Sequence, residues 1–573
     1  MLSFALVQPM RKLTYIFLLL LFAGLEPSFA QVQSRSELAG KSAYIQGMEA
    51  FVNEEYELSR DLLLTAYSEL GANASISFAL ADTYSMLNDL PNAALYGKQA
   101  VNLEPENKWY RFKLAEIYRS AGQNQATLNE LNKLLEYHPN DFDALFMLAN
   151  TYQNYGEYFK SNQILNRALN LTGPNKAIFF LKFKNFEALA IRDSMRVQLE
   201  ALRDLNPDDL NTLNLLGEFY SITGEKGEAR TVLSDALTRN SRDPQSLINL
   251  AGLYIDVQKW DSAGTLMGNF VTDKLIQPEQ KIQVAQYLVA RHAKEPNSVQ
   301  LRIEAARLLD LLCEAEPEYG LAFVLAGQFY AQNNQFDEAL NKLERGNQLL
   351  PNDEMAWRLR LQLLLGEEKH DEAIEVGKKA NKVVPEDAFI QFFVGSAYLL
   401  KDDNATAVEW LENASRAPAR RPFKSIIYTT LADAQGNLKN YEESDSKYEL
   451  ALRYDPENDV AMNNYAYNLS VRGENLEKAK ELALKAIETA PENAAYLDTI
   501  GWVYFKLGDY ERARRYVKAS IDTGSASAEV SEHLGDVYEK LDNLHEANKW
   551  WKQALEMDST RVHLKDKIDT DTQ

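Results

Sequence analysis

Histidine, cysteine and paired carboxylates are the side chains from which this chain would build a reactive centre. It holds six histidines (His138, His292, His370, His533, His545 and His563) and one cysteine, Cys313. His545-Glu546-Ala547-Asn548-Lys549 opens like the H-E-x-x-H helix of a zinc protease, in which two histidines four apart share one face and hold one metal. Lys549 stands where the second histidine belongs, so the spacing fails. No other histidines fall at a metal-ligand spacing. Cys313 lies in EAARLLDLLCEAEP, among helical apolar neighbours, and reads as a small buried hydrophobe rather than a nucleophile. There is no G-x-S-x-G, no glycine-rich phosphate loop and no Cys–His pairing. Carboxylates are abundant, with 83 Asp and Glu against 61 Lys and Arg. With no pocket to gather them they read as solvated helix faces. Neither catalysis nor a cofactor is expected. A net charge of −22 repels phosphate backbones, so nucleic acid is not an expected partner.

One stretch near the C-terminus could still pass for a site: YLDTIGWVYFKLGDYERARRY, residues 496–516, with its aspartates, tyrosines and arginines. It is one copy of a recurring unit. Tyr84, Tyr118, Tyr152, Phe186, Tyr220 and Tyr254 are 34 residues apart without a slip. Ala93, Thr127, Ser161, Met195, Ala229 and Ala263 keep the same step, and Ala339, Ala373 and Ala407 resume it. Each unit holds two helical patterns with a short turn between them. Small residues such as Gly217, Gly327, Gly395, Gly501 and Gly535 allow the helices a close approach. An aromatic fills the space between them, and a proline, which cannot donate the helical hydrogen bond, ends the second helix. Ile500, Gly501, Tyr504, Tyr510 and Ala513 are therefore wall.

A 34-residue period with Leu-Gly, Tyr, Ala and Pro at fixed offsets resembles the tetratricopeptide (TPR) repeat. The fullest copies are residues 214–237, 324–346, 393–414, 499–520 and 533–555. The resemblance implies an all-α helix-turn-helix solenoid, wound as a right-handed superhelix, that binds proteins or extended peptides without catalysis. One array is expected over 40–277 and another over 320–557, each of about seven units. A degenerate helical unit at 278–319 separates them, and a closing helix and tail follow at 558–573. No stretch as long as the usual domain of about 150 residues is left for an enzyme.

In arrays of this family the first helices line the ligand-facing groove, and contacts come from positions beside the framework ones. Two sets stand there. Tyr44, Phe78, Phe112, Phe146 and Phe180 form an aromatic ladder of period 34, with Met48, Asp82, Glu116, Asn150 and Lys184 four residues further on. The ladder suits either packing between neighbouring first helices or an extended segment with apolar and some basic side chains. Asn463, Tyr467, Trp502, Phe505 and Asp536 form a second aromatic and acidic patch, open to the same two readings. Stacking on sugar rings would instead make the chain a glycan-handling module of a polysaccharide secretion or envelope assembly machine. Lys108, Arg111 and Lys113 suggest the family's clamp for a terminal carboxylate, but the partner asparagines are missing. RAPARRPFK (416–424) is a basic island, either a solvated spacer or a dock for an acidic partner.

Residues 1–30 read separately. Arg11 and Lys12 precede the apolar LTYIFLLLLFAGL (13–25), and Ser28-Phe29-Ala30 offers a cleavage site, the pattern of a secretory signal peptide. No cysteine follows it for lipid attachment, and a single thiol forms no internal disulfide. The expectation is an exported protein, periplasmic or extracellular, of the exported bacterial TPR type, with no stable membrane insertion once the leader is removed.

Overall fold

Thirty-four residues suffice for a first helix of 13, a second of 14 and two tight turns, and the chain is built that way. The computed structural model describes residues 35–525 and 527–569; the leader reading lies outside them. The described residues form fifteen helical hairpins and a closing helix, His563–Asp569, with no strand among them. The hairpins fall into two compact units, one ending at Ala263 and one beginning at Gly264. Within each unit a hairpin leans on the next: in the first the cluster of Leu131, Leu134, Leu145, Leu148 and Leu165 runs through two hairpins, and in the second that of Tyr448, Tyr465, Leu469, Ile500 and Val503 runs through three. A lone hairpin could not bury its apolar face; stacked neighbours can.

Three devices recur with the period. The first places an Asx residue ahead of the first helices. Asn73, Asn107, Asp141, Asn175 and Asp243 each accept a backbone N–H of the helix they precede, satisfying donors the helix leaves open. The second is the helix crossing. A Cβ built on Gly327 would meet Leu343 at 2.6 Å, on Gly395 Leu411 at 2.7 Å, and on Gly501 Val517 at 2.5 Å, while Gly217 and Gly535 face Leu233 and Trp551 as closely. The third holds the proline that ends a second helix: Arg111, Trp357 and Gln391 each donate to the carbonyl of the proline six residues before, Pro105, Pro351 and Pro385, at 2.6, 2.8 and 2.6 Å.

The framework tyrosines sit between the helices as their period requires. Tyr118 and Tyr220 are buried, Tyr84 stacks on Tyr96 at 5.6 Å, and Tyr152 lies against the Leu145 cluster. Tyr220 also donates to Glu200 at 2.7 Å; burial first, and that carboxylate next, push its hydroxyl up to about 12. Between residues 278 and 319 the period lapses, and the chain forms two longer helices, Pro278–Lys294 and Val299–Ala315. Cys313 is buried in the second, and burial pushes its thiol up to about 11, away from the reactive thiolate.

Candidate functional site

The aromatic ladder occupies the first helices Arg35–Val52, Ala74–Met86, Lys108–Ser120, Phe142–Asn154 and Lys176–Ala188. Tyr44 packs against Ala43, Leu63 and Leu80; burial and the neighbouring Tyr110 hold its hydroxyl above the usual range. Phe78 lies 4.9 Å from the Tyr110 ring. Phe112 and Phe146 pack on the Leu131–Leu148 cluster. Phe180 is the most open member, 42% exposed, with the Lys184 ammonium 5.9 Å from its ring. The acidic flank is occupied from within. Lys113 lies 2.8 Å from Asp82 and 3.1 Å from Glu116. Asn150 donates to the Phe146 carbonyl at 2.8 Å. The clamp-like cations are taken as well: Lys108 pairs with Asp141 at 3.0 Å, and buried Arg111 with Glu130 at 2.7 Å.

The second patch gathers three successive first helices, Asp459–Arg472, Ala494–Lys506 and Ala528–Lys540. Tyr467 of the first donates to Glu529 of the third at 2.5 Å, bridging the helix between them. Burial, then this carboxylate, raise the tyrosine's pKa. On the middle helix the Trp502 indole stacks on Phe505 at 4.6 Å and on the buried His533 imidazole at 3.9 Å. His533 Nδ1 lies 2.9 Å from Asp498. Asp536 accepts the Trp551 indole N–H at 2.8 Å and faces Lys567 at 2.5 Å. Glu532 faces Arg561 and His563, at 2.5 and 2.8 Å. Glu532 and Asp536 are thus met by the closing segment.

Asn463 is the exception. Half-buried Asp433 accepts N–H from Asn464 at 3.2 Å, which turns the Asn464 amide nitrogen inward. The Asn464 oxygen then accepts from Asn463 Nδ2 at 3.3 Å. This polarised chain fixes Asn463 Oδ1 as an acceptor, and it has no hydrogen-bond partner. Such a group costs about 1–3 kcal/mol while unmet.

Asp498, Glu529, Glu532 and His533 complete this face and were not singled out by sequence. The signal for two of them was there: Asn463, Asp498 and Glu532 hold equivalent places on successive first helices, each four residues before Tyr467, Trp502 and Asp536. In the basic island, Arg416 pairs with Glu412 at 2.7 Å, Arg421 donates to the Arg453 carbonyl at 2.8 Å, and Lys424 donates to that of Ala417 at 2.6 Å. Among the described residues no three His, Cys, Asp or Glu side chains converge as a metal site, and no helix is long and apolar enough to cross a membrane.

The chain is 23% identical over 366 residues to a BBSome complex member of Bos taurus, a match covering 63% of this chain and 60% of that one. It is 30% identical over 172 residues to a TPR repeat-containing protein of Pseudomonas aeruginosa, covering 29% and 28%. It thus spans three-fifths or less of these curated relatives. Among solved structures it is similar to a chain of the APC/C hetero-tetramer Cut9–Hcn1, at 14% identity and a TM-score of 0.39, covering 94% of this chain and 97% of that one. Models of the tetratricopeptide repeat match residues 110–141, 130–161, 426–458 and 499–561. The fold is an all-α helical solenoid, and the repeats it carries at these places are tetratricopeptide repeats.

Proposed function

We propose that this chain is a non-catalytic scaffold that holds a protein partner, as an extended segment, against the first helices Asp459–Arg472, Ala494–Lys506 and Ala528–Lys540. Tetratricopeptide repeat proteins are in general protein–protein interaction scaffolds, which supports the class. The observation that carries the choice of face is Asn463. Its acceptor is oriented, unmet and itself buried, so a backbone N–H of an extended segment meets it only when the Asn463 side chain turns outward. Trp502 and Phe505 beside it supply apolar area, while Tyr467 and Glu529 mark how far the face reaches. The N-terminal ladder is the weaker candidate, because its rings and acids are largely engaged with one another and with Lys113. The reading includes export to a bacterial envelope, supported by the leader pattern in residues 1–30 and the single cysteine.

The test is photo-crosslinking in cells that express the full chain. A photoreactive residue at exposed Lys506, whose ammonium lies 5.0 Å from the Trp502 ring, is compared with one at Lys447 on a second helix, each with and without Asn463→Leu. The expected result is one protein captured from Lys506 only and lost with Asn463→Leu, at unchanged helicity. Capture that survives Asn463→Leu overturns this face. Capture of polysaccharide instead supports glycan handling, although Trp502 already stacks on protein rings.

A further inference from the structure

The two ends of the repeat array are finished differently. At the C-terminal end, His563–Asp569 closes the last hairpin: Leu564 is fully buried with Ala547, Trp551 and Ala554, and Lys565 and Asp566 face water. Solenoids need such polar outer faces on their terminal repeats. At the other end of the described residues, Arg35–Val52 turns Gly40, Ala43, Gly47 and Ala50 inward. Its opposite side carries Leu38, Ile45 and Val52, seven residues apart and 56%, 55% and 43% exposed. The place of Ile45 on the next four first helices belongs to Ala79, Lys113, Met147 and Leu181. None of these is exposed, because the preceding hairpin lies against each.

Leu, Ile and Val at a seven-residue spacing supply one of the two apolar lines of a helix-pair seam, and the other line here holds Lys41 and Met48. The charges beside this seam are antisymmetric about Ile45. Lys41 stands four residues before it and Glu49 four after. Both are exposed. Laid antiparallel about a two-fold axis at Ile45, a second copy sets Leu38 against Val52 and Lys41 against Glu49. A surface that matches itself in this way satisfies the condition for an isologous dimer.

We propose that Arg35–Val52 is the interface of an antiparallel two-fold dimer of this chain, with Ile45 at its centre. Lys41, which pairs with Glu37 at 2.7 Å within its own helix, then lies between that carboxylate and Glu49 of the second copy. One helix on one helix falls short of the standard interface of roughly 1,600 Å². The association is therefore weak, concentration-dependent and reduced by salt.

The experiment uses the full chain, purified as the expressing cell leaves it, with its N-terminus read by mass spectrometry. Light scattering follows its mass over a concentration series at low and high salt. The expected mass rises from that of one copy toward twice that value as concentration increases, and Ile45→Glu abolishes the rise. Lys41→Glu and Glu49→Lys each weaken the association by about tenfold or more, since each places like charges together twice. The double reversal K41E/E49K restores it, an outcome that damage to the helix would not give. If Ile45→Glu disturbs the first hairpin in circular dichroism, the charge-reversal set decides alone. A single-copy mass at every concentration overturns the proposal. Failure of the double reversal to restore association overturns the antiparallel register.

Discussion

Lys113 lies on the same first helix as Phe112 and holds two carboxylates at once, Asp82 of the preceding hairpin at 2.8 Å and Glu116 one turn on at 3.1 Å. Burial works against its charge, but the two carboxylates outweigh it and raise the ammonium's pKa above its ordinary value. One side chain thereby neutralises the acids that a basic ligand would have sought along the aromatic ladder.

Lys113→Met removes the ammonium that compensates Asp82, whose side chain is 8% exposed. Breaking a buried pair from one side costs about 3 kcal/mol or more. The expected result is an earlier urea transition and faster amide exchange in the helices Ala74–Met86 and Lys108–Ser120, with most of the loss recovered in Asp82→Asn/Lys113→Met. Unchanged exchange in those helices would show that the pair contributes nothing to the wall.

The close helix crossings give a second expectation. Alanine at Gly501 puts a Cβ 2.5 Å from the Val517 side chain and 3.0 Å from its backbone nitrogen, so the second helix itself has to move. Overpacking of this kind costs about 1–3 kcal/mol. Gly227, in the helix Lys226–Arg239, has nothing within 4 Å of its built Cβ, and alanine there is neutral or stabilising. Thermal unfolding of Gly501→Ala and Gly227→Ala should separate the two; equal effects would mean that the crossing is not tight.

Much of this wall was legible because every unit repeats the same physical problem. Tyr220, Gly217 and Ala229 recur at 34 residues since each hairpin must fill one gap and permit one close crossing. The Asx caps, from Asn73 through Asn107, Asp141 and Asn175, follow the same step and are legible from it, although hydrophobic periodicity does not mark polar residues at helix starts. What the period does not carry is who pairs with whom across hairpins. Nothing in the identity of Lys113 says that it turns to Asp82, or that Asp498 faces His533. Those pairings depend on the side-chain directions of two helices at once, where several partners satisfy the same charge. The second patch was visible as Trp502 and Phe505, but not the reach of Tyr467 across a whole helix to Glu529.

A pH dependence follows from Asp433. Burial pushes its carboxyl up to about 6, although hydrogen bonds from Tyr448 at 2.5 Å and Asn464 act to lower it. In the unfolded chain the same carboxyl titrates near 3.9. The folded state therefore holds this proton more tightly. Keeping the carboxylate buried costs nothing below pH about 4 and rises to about 3 kcal/mol above pH about 6. Asn at 433 still offers Tyr448 and Asn464 an acceptor. Asp433→Asn should therefore raise the melting temperature at pH 7 and leave it nearly unchanged at pH 4. Equal shifts at both pH values would refute the titration.

His533 titrates in the opposite sense. Burial works against its charge, but the hydrogen bond to Asp498, with the fields of Asp498, Glu529 and Asp536, outweighs burial and holds the imidazole above its ordinary value. A raised histidine contributes stability that is complete below its unfolded pKa of about 6.5 and is lost as pH rises through the folded value. The stacked indole of Trp502, 3.9 Å away, reports that proton directly. The fluorescence of the full chain minus that of its Trp502→Phe variant should change in a single step above pH 6.5. Asp498→Asn removes the charge that holds the proton, so the step should move to lower pH. A step that stays in place in Asp498→Asn would mean that Glu529 and Asp536, not Asp498, hold the charge of His533 on the proposed binding face.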